Sequence, residues 1–344
     1  MKATYSQYIL DFKQASGTSR GILKQKETWF IKLEDQNEWG IGECGILRGL
    51  SCDDRPDYEE KLQWICDHIH LGFEVLYTEL KEFPSIQMGL ETAFLSLTSK
   101  DSYCLFPSKF TKSKDTLPIN GLIWMGDHAF MLKQLEQKLA AGFDCIKMKV
   151  GALDFDQEIA LLKTIRERFS KDEIVLRVDA NGAFSPEEAP SKLDALAAFD
   201  IHSIEQPLKA GQWEAMATLC NNTPIPIALD EELIGVFDTI QKQELLDKIK
   251  PQYVILKPSF IGGFRGSQEW IDMANEREIG WWVTSALESN VGLNAITQWT
   301  YTLNPKGPQG LGTGSLYTNN IDSPLVVENG YIGYDKTRKW NTIQ

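Results

Sequence analysis

Five short apolar runs, each ending in charged residues, recur between Cys145 and Ser259. They are CIKMKVG (Cys145 to Gly151), IVLRVDANG (Ile174 to Gly182), SIEQP (Ser203 to Pro207), PIALDEE (Pro226 to Glu232) and YVILKPS (Tyr253 to Ser259). Measured at Lys149, Asp179, Glu205, Asp230 and Lys257, the steps are 30, 26, 25 and 27 residues. One strand, one helix and two loops need about that much chain, so the period predicts a repeated βα unit with a charge at each strand end. In a parallel barrel the C-terminal strand ends converge on one mouth, where active sites sit. The spacing therefore predicts two lysines and three carboxylates gathered at that mouth.

The remaining chain fits around this frame. Residues 3–14 and 21–34 alternate apolar and polar side chains, and WGIGEC (Trp39 to Cys44) completes a three-stranded antiparallel meander whose glycines imply close backbone approach. Helices are expected over 58–71 and 84–99, the second with Pro84 in its first turn. Residues 1–100 read as an α+β capping domain, 101–116 as a linker and 117–319 as a (β/α)7β barrel. LPINGLIWMG is expected as barrel strand 1, WWVTSALESN as strand 7 and the glycine-rich GPQGLGTGSLY as strand 8. SPEEA (Ser185 to Ala189) has the cap, proline and acidic residues of a helix start. The tail 320–344 is expected to return to the capping domain.

A net charge of −13 and the lack of a basic cluster argue against nucleic acid or an anionic membrane as partner. No apolar run approaches transmembrane length, the first residues lack an apolar signal core, and a cytoplasmic location is expected. The six cysteines are scattered without a CxxC pair and read as buried small hydrophobes in a reducing compartment. The sequence leaves a homo-oligomer open.

Asp179, Glu205 and Asp230 offer hard oxygen ligands on consecutive strands, with no Cys or His among them. Such a set suits Mg²⁺, with Mn²⁺ as the alternative, rather than zinc or copper. Lys147 and Lys149 are two apart and share one strand face, which the frame turns into the barrel. Burial, the neighbouring ammonium and a metal cation all favour a neutral amine, so one of this pair is expected to have a lowered pKa and to act as a general base. Lys257, four strand steps away, faces the pair across the mouth. Amines on two faces of a metal-held acid suit proton abstraction next to a carboxylate.

These residues resemble the enolase superfamily, and within it the muconate-lactonizing-enzyme subgroup. KMK, VDANG, EQP, LDE and LKPS carry the resemblance, with GIGEC in the capping domain. Mandelate-racemase-like members use a strand 7 histidine, whereas the histidines here are His68, His70, His128 and His202. Dipeptide epimerases carry a DxD motif at strand 8, where this chain has GLGTGSLY. Ser285, Glu288, Ser289 and Gly292 match the SxxESxxG pattern of the o-succinylbenzoate synthases of menaquinone synthesis. N-succinylamino-acid racemases of the subgroup have Arg where this chain has Phe260.

The resemblance thus implies a dehydration. Lys149 abstracts the α-proton and, as an ammonium, protonates the departing hydroxyl; Lys257 is a cation over the other face and Lys147 tunes Lys149. It also implies Mg²⁺ on Asp179, Glu205 and Asp230, and a small carboxylate substrate. Arg20, or the backbone at Gly312 and Thr313, is expected at the succinyl carboxylate, with Ser285, Glu288 and Ser289 near the substrate. Trp124 is a further candidate for the pocket wall. Racemases, epimerases and cycloisomerases of the subgroup are the competing enzymes, and a catalytically silent acid-binding barrel the competing class.

Overall fold

A computed structural model describes residues 1–18, 21–151 and 155–341. The chain opens with three strands, β1 (Lys2–Thr18), β2 (Gly21–Asp35) and β3 (Glu38–Cys44), paired antiparallel in that order. Three helices follow, α1 (Tyr58–Asp67), α2 (Phe73–Glu79) and α3 (Pro84–Thr98). The helix expected over 58–71 stops at Asp67, and α2 was not anticipated; Gly72, at φ 77°, separates them. Trp29, Ile31, Leu33, Leu62, Ile65, Ile86 and Leu90 form the core between this sheet and its helices. The glycines of WGIGEC let α3 lie against backbone. A Cβ on Gly42 would stand 1.9 Å from the Gly89 carbonyl oxygen, so any larger residue there would force the helix off the sheet.

The second body is a parallel sheet of seven strands. Two short strands come first, β4 (Leu117–Pro118) and β5 (Gly121–Ile123), before helix α4 (His128–Ala140). Strands β6 (Cys145–Lys149), β7 (Val175–Asp179), β8 (Ser203–Glu205) and β9 (Ile227–Leu229) alternate with α5 (Phe155–Arg168), α6 (Ala189–Ala197) and α7 (Trp213–Asn222). Then follow α8 (Thr239–Ile249), β10 (Tyr253–Leu256), a short α9 (Pro258–Ile261), α10 (Gly263–Glu276), β11 (Gly280–Val283) and α11 (Asn290–Thr302). The sheet order is β11-β10-β9-β8-β7-β6-β5. This is the expected α/β barrel behind an antiparallel-sheet cap.

Three details differ from the sequence reading. The segment expected as one first strand is split: β5 joins the barrel, while β4 pairs with β13 of a C-terminal hairpin, β12 (Leu325–Glu328) and β13 (Tyr331–Tyr334). Strand 8 is reduced to two parallel bridges, Ile119 to Gln309 and Thr284 to Gly310, which close the ring. Its glycines favour no extended strand, and one bridge to each neighbour suffices for closure. Helix α6 begins at Ala189, because Ser185 and Glu188 form a capped turn before it. The tail hairpin adds to β4; the stretch preceding it meets the cap, with Thr318 N donating to the Asp11 carbonyl at 2.9 Å and Phe12 bridging Tyr317. No helix among the described residues is long and apolar enough to cross a membrane.

Candidate active site

The parallel register builds the site. Lys149 lies beside Asp179, and Asp179 beside Glu205, so three charged side chains stand at one level on adjacent strands. Asp230 follows the end of β9 and Lys257 the end of β10. Asp179 and Glu205 are 0% exposed and Asp230 2%. One carboxylate oxygen from each comes within 4.8 Å of the others.

Three lysines answer this negative charge. Lys147 ion-pairs with Glu205 and, at 2.8 Å, with Asp179. Lys149 Nζ donates to Asp179 Oδ2 and to Asn181 Oδ1, both at 2.6 Å. Lys257 Nζ donates to Asp230 Oδ2 at 2.5 Å. Of the pair expected to include one lowered pKa, Lys147 shifts upward instead, and Lys257 across the mouth shifts upward as well. Burial pulls both ammonium groups down, but the carboxylates around them outweigh it and raise both. Asp179 is likewise pulled well below the carboxylate range, its burial being overcome by Lys147 and Lys149. Glu205 moves the other way: burial, together with repulsion from Asp179 and Asp230, outweighs Lys147 and pushes it up.

The triad fits a metal ion on one decisive observation. Glu205 Oε1 is buried and has no hydrogen-bond partner among the described residues. An unsatisfied carboxylate oxygen in a buried all-oxygen cluster is costly unless a cation takes it. Carboxylates alone as donors suit a hard divalent ion.

Local backbone holds these groups in place. Gln206, at φ 38°, accepts from the Asp230 N–H at 3.1 Å and donates to Glu232 Oε2 at 2.9 Å, so the EQP motif pins the neighbouring strand end. Asn181, at φ 45°, accepts from Lys149 and donates to Glu231 Oε1 at 2.9 Å. Asn181 and Glu231 both line the pocket, and neither was singled out from the sequence. Their place in the VDANG and LDEE strings, directly after two ligand candidates, was the available signal.

The pocket above the triad takes its walls from both bodies. Leu23, Leu47, Arg48 and Leu50 come from the cap. Lys147, Lys149, Lys257, Trp124, Phe260, Ser285, Gly312 and Thr313 come from the barrel. Ser285 and Thr313 share a hydrogen bond of 2.7 Å. Glu288 and Ser289, expected near the substrate, are 0% exposed and do not line the pocket. They bond to protein groups instead: Glu288 accepts from Ser259 Oγ, and Ser289 donates to Glu43. Arg20 lies outside the described residues. Arg48 is the described cap cation at the pocket, held by Glu27 and, at 2.6 Å, by Asp54.

Fold and site together define a class: a parallel barrel with a carboxylate metal triad and lysines on strands four steps apart. Residues 131–337 match the family model described as enolase C-terminal domain-like. An o-succinylbenzoate synthase of Desulfotalea psychrophila is 45% identical, with 97% of this chain and 99% of that protein covered. The crystal structure of MenC from that organism superimposes with a TM-score of 0.86 at 43% identity, covering 97% and 99% of the two chains. A Bacillus subtilis o-succinylbenzoate synthase is 26% identical over 97% of this chain and 91% of its own length. Muconate lactonizing enzyme from Pseudomonas fluorescens shares the fold, at TM-score 0.83 and 19% identity over 99% and 96% of the two chains. The chain belongs to the enolase superfamily and, within it, to the o-succinylbenzoate synthase family.

Proposed function

We propose that this protein is an o-succinylbenzoate synthase. It removes water from 2-succinyl-6-hydroxy-2,4-cyclohexadiene-1-carboxylate to give o-succinylbenzoate in menaquinone biosynthesis. The observation that carries the reading is Lys149 and Lys257, held four strand steps apart around one pocket beside a buried triad with an unfilled oxygen. The family membership supports the same reaction.

Asp179, Glu205 and Asp230 would hold a divalent ion, Mg²⁺ in this reading. When bound, it supplies electrostatic stabilisation for the negative charge that proton removal puts on the substrate carboxylate. Lys149, as free amine, takes the proton from the ring carbon bearing the carboxylate, and that C–H electron pair enters the carboxylate. The pair then returns to the ring as the C–O bond to the hydroxyl breaks. The Lys149 ammonium gives its proton to the leaving oxygen, so water departs and the amine is restored. Asp179 and Asn181 orient Lys149 Nζ through the two 2.6 Å bonds. Lys257, kept cationic by Asp230, places positive charge on the other side of the substrate. Aromatisation makes the elimination strongly downhill, so few substrate-specific contacts are needed.

Phe260, packed beneath Lys257 with its ring centroid 5.7 Å from Nζ, supplies no cation of the kind expected in the racemases. The reading also carries the division into a cap (1–100 with 320–344), a linker (101–116) and a barrel (117–319), and a cytoplasmic location. Incubation with the cyclohexadiene and Mg²⁺, followed by loss of diene absorbance, tests the assignment. Turnover to o-succinylbenzoate is expected; no turnover at micromolar enzyme, or α-proton exchange from D₂O without loss of water, rejects it.

A further inference from the structure

A second buried group of charges lies where the cap meets the ends of β10 and β11. Glu43, Glu288 and Lys26 are 1%, 0% and 3% exposed. Glu43 Oε1 accepts from Thr28 Oγ1 and from Ser289 N, both at 2.8 Å. Its Oε2 accepts from Ser289 Oγ at 2.5 Å and from Gly292 N at 2.8 Å. A carboxylate from the cap therefore sits on the first turn of barrel helix α11, where exposed N–H groups and the helix dipole favour negative charge.

Glu288 extends the contact to the neighbouring strand. Its Oε1 accepts from Ser259 Oγ at 2.6 Å, and its Oε2 from Ala286 N at 2.7 Å. Ser259 is two residues past Lys257, and Ala286 adjoins Ser285. Cap backbone presses against this pair: a Cβ on Gly45 would lie 2.9 Å from both Glu288 Cγ and Ser259 Oγ. Lys26 Nζ is buried here without a hydrogen-bond partner among the described residues, and Glu43 and Glu288 are its charged neighbours. Burial pulls the Lys26 ammonium down, and Glu43 and Glu288 pull it up without a directional bond. Its attraction to the two acids offsets part of the cost of burying them, while the hydrogen bonds of Glu43 and Glu288 set the geometry.

We propose that Glu43 and Lys26 are positioning residues: they lock the cap onto the loops after β10 and β11, and so hold Lys257 and Ser285 at their places in the pocket. The kinetic part of this proposal rests on the dehydration assigned above; the structural part does not.

Glu43→Gln in the Mg²⁺-loaded enzyme is the test. The variant keeps the shape but removes the charge and turns one acceptor into a donor facing N–H groups. Amide hydrogen exchange in residues 286–293 is expected to rise at least tenfold, with 145–182 unchanged. For the diene, kcat is expected to fall on the order of 10²-fold, the loss that a small misplacement of reacting groups produces, with KM and the affinity for Mn²⁺ within twofold. Lys26→Met is expected to loosen the same segment, and Glu43→Asp, which retains the charge, to recover part of kcat. Unchanged exchange and kcat in Glu43→Gln would overturn the proposal. So would loosening spread over the whole chain with kcat and KM lost together, and Glu43→Asp covers a Gln variant that does not fold. If the wild type does not turn over the diene, the reaction is wrong and exchange alone decides the latch.

Discussion

The molecule buries two clusters of carboxylates and lysines, one at the mouth of β7, β8 and β9 and one at the seam between cap and barrel. Both are nearly sealed from water, and both place acids beside ammonium groups. They differ in how completely the acids are satisfied. At the seam each oxygen of Glu43 and Glu288 accepts at least one hydrogen bond from a neighbour. At the mouth Glu205 Oε1 accepts none among the described residues, and Asp179 and Asp230 repel Glu205. Burial and charge are thus common to scaffold and site. An unfilled acceptor among like charges marks the place that needs a ligand, because such a group is destabilising until a cation arrives.

The comparison can be broken most sharply at the mouth. Lys149→Ala should lower kcat by about 10³-fold or more, the upper part of the range for a lost general base, with little change in Tm; diene turnover and a thermal melt read both. Removing the metal with a chelator should abolish activity, and Mg²⁺ should restore it. Mg²⁺ at 100 times its Kd should stabilise the wild type by about 2.7 kcal/mol and leave Glu205→Gln unmoved.

Stability sharpens the contrast further. Glu43→Ala should destabilise by about 3 kcal/mol, since it strands buried N–H groups and leaves Lys26 without a counter-charge. Glu205→Gln should change the metal-free protein by less than about 1 kcal/mol, because the lost Lys147 pair is offset by relief from Asp179 and Asp230. Urea unfolding of the two variants decides it; equal losses would end the distinction between satisfied and unsatisfied acids.

A third carboxylate tests the seam by pH. Glu91 on α3 accepts from Phe264 N at 2.6 Å, at the start of α10. Gly263 stands there at φ 71°, and a Cβ on it would lie 2.3 Å from Glu91 Oε2. Burial raises this acid from 4.5 to about 7, against the pull of the Phe264 and Arg265 N–H groups. Its folded pKa exceeds its unfolded one, so its stabilisation is full below pH 4.5 and lost as pH rises toward about 7. The difference in stability between wild type and Glu91→Gln should therefore drift by on the order of 1–3 kcal/mol across that window. A flat difference would mean that Glu91 does not titrate there. The smallest effect is expected at Ser285, where Ala removes the Thr313 bond and should lower kcat/KM by less than about tenfold, within the reach of one neutral hydrogen bond.

Much of the mouth was legible in the chain. Strand ends recur at a regular spacing because each βα unit is local, and in-register neighbours then align Lys149, Asp179 and Glu205 without further information. The direction of the lysine shifts was not legible, because it depends on how many carboxylates surround each amine once the strands are assembled. Glu288 and Ser289 read as substrate groups from their motif, yet their partners are Ser259 and Glu43, the latter more than 240 residues away in the chain. No periodicity reports such a pairing.

By itself the sequence determined the βα period, the barrel, the acidic triad and the two lysine strands, since all follow from alternation and spacing within units of about thirty residues. Only the tertiary structure decided that strand 8 is two bridges, that β4 belongs to the tail hairpin, and that Glu288 and Ser289 of the SxxESxxG pattern are buried at the seam with the cap instead of lining the pocket. Those outcomes depend on contacts between segments far apart in the chain, where hydrogen-bond saturation and close packing choose among arrangements that local preference leaves equal.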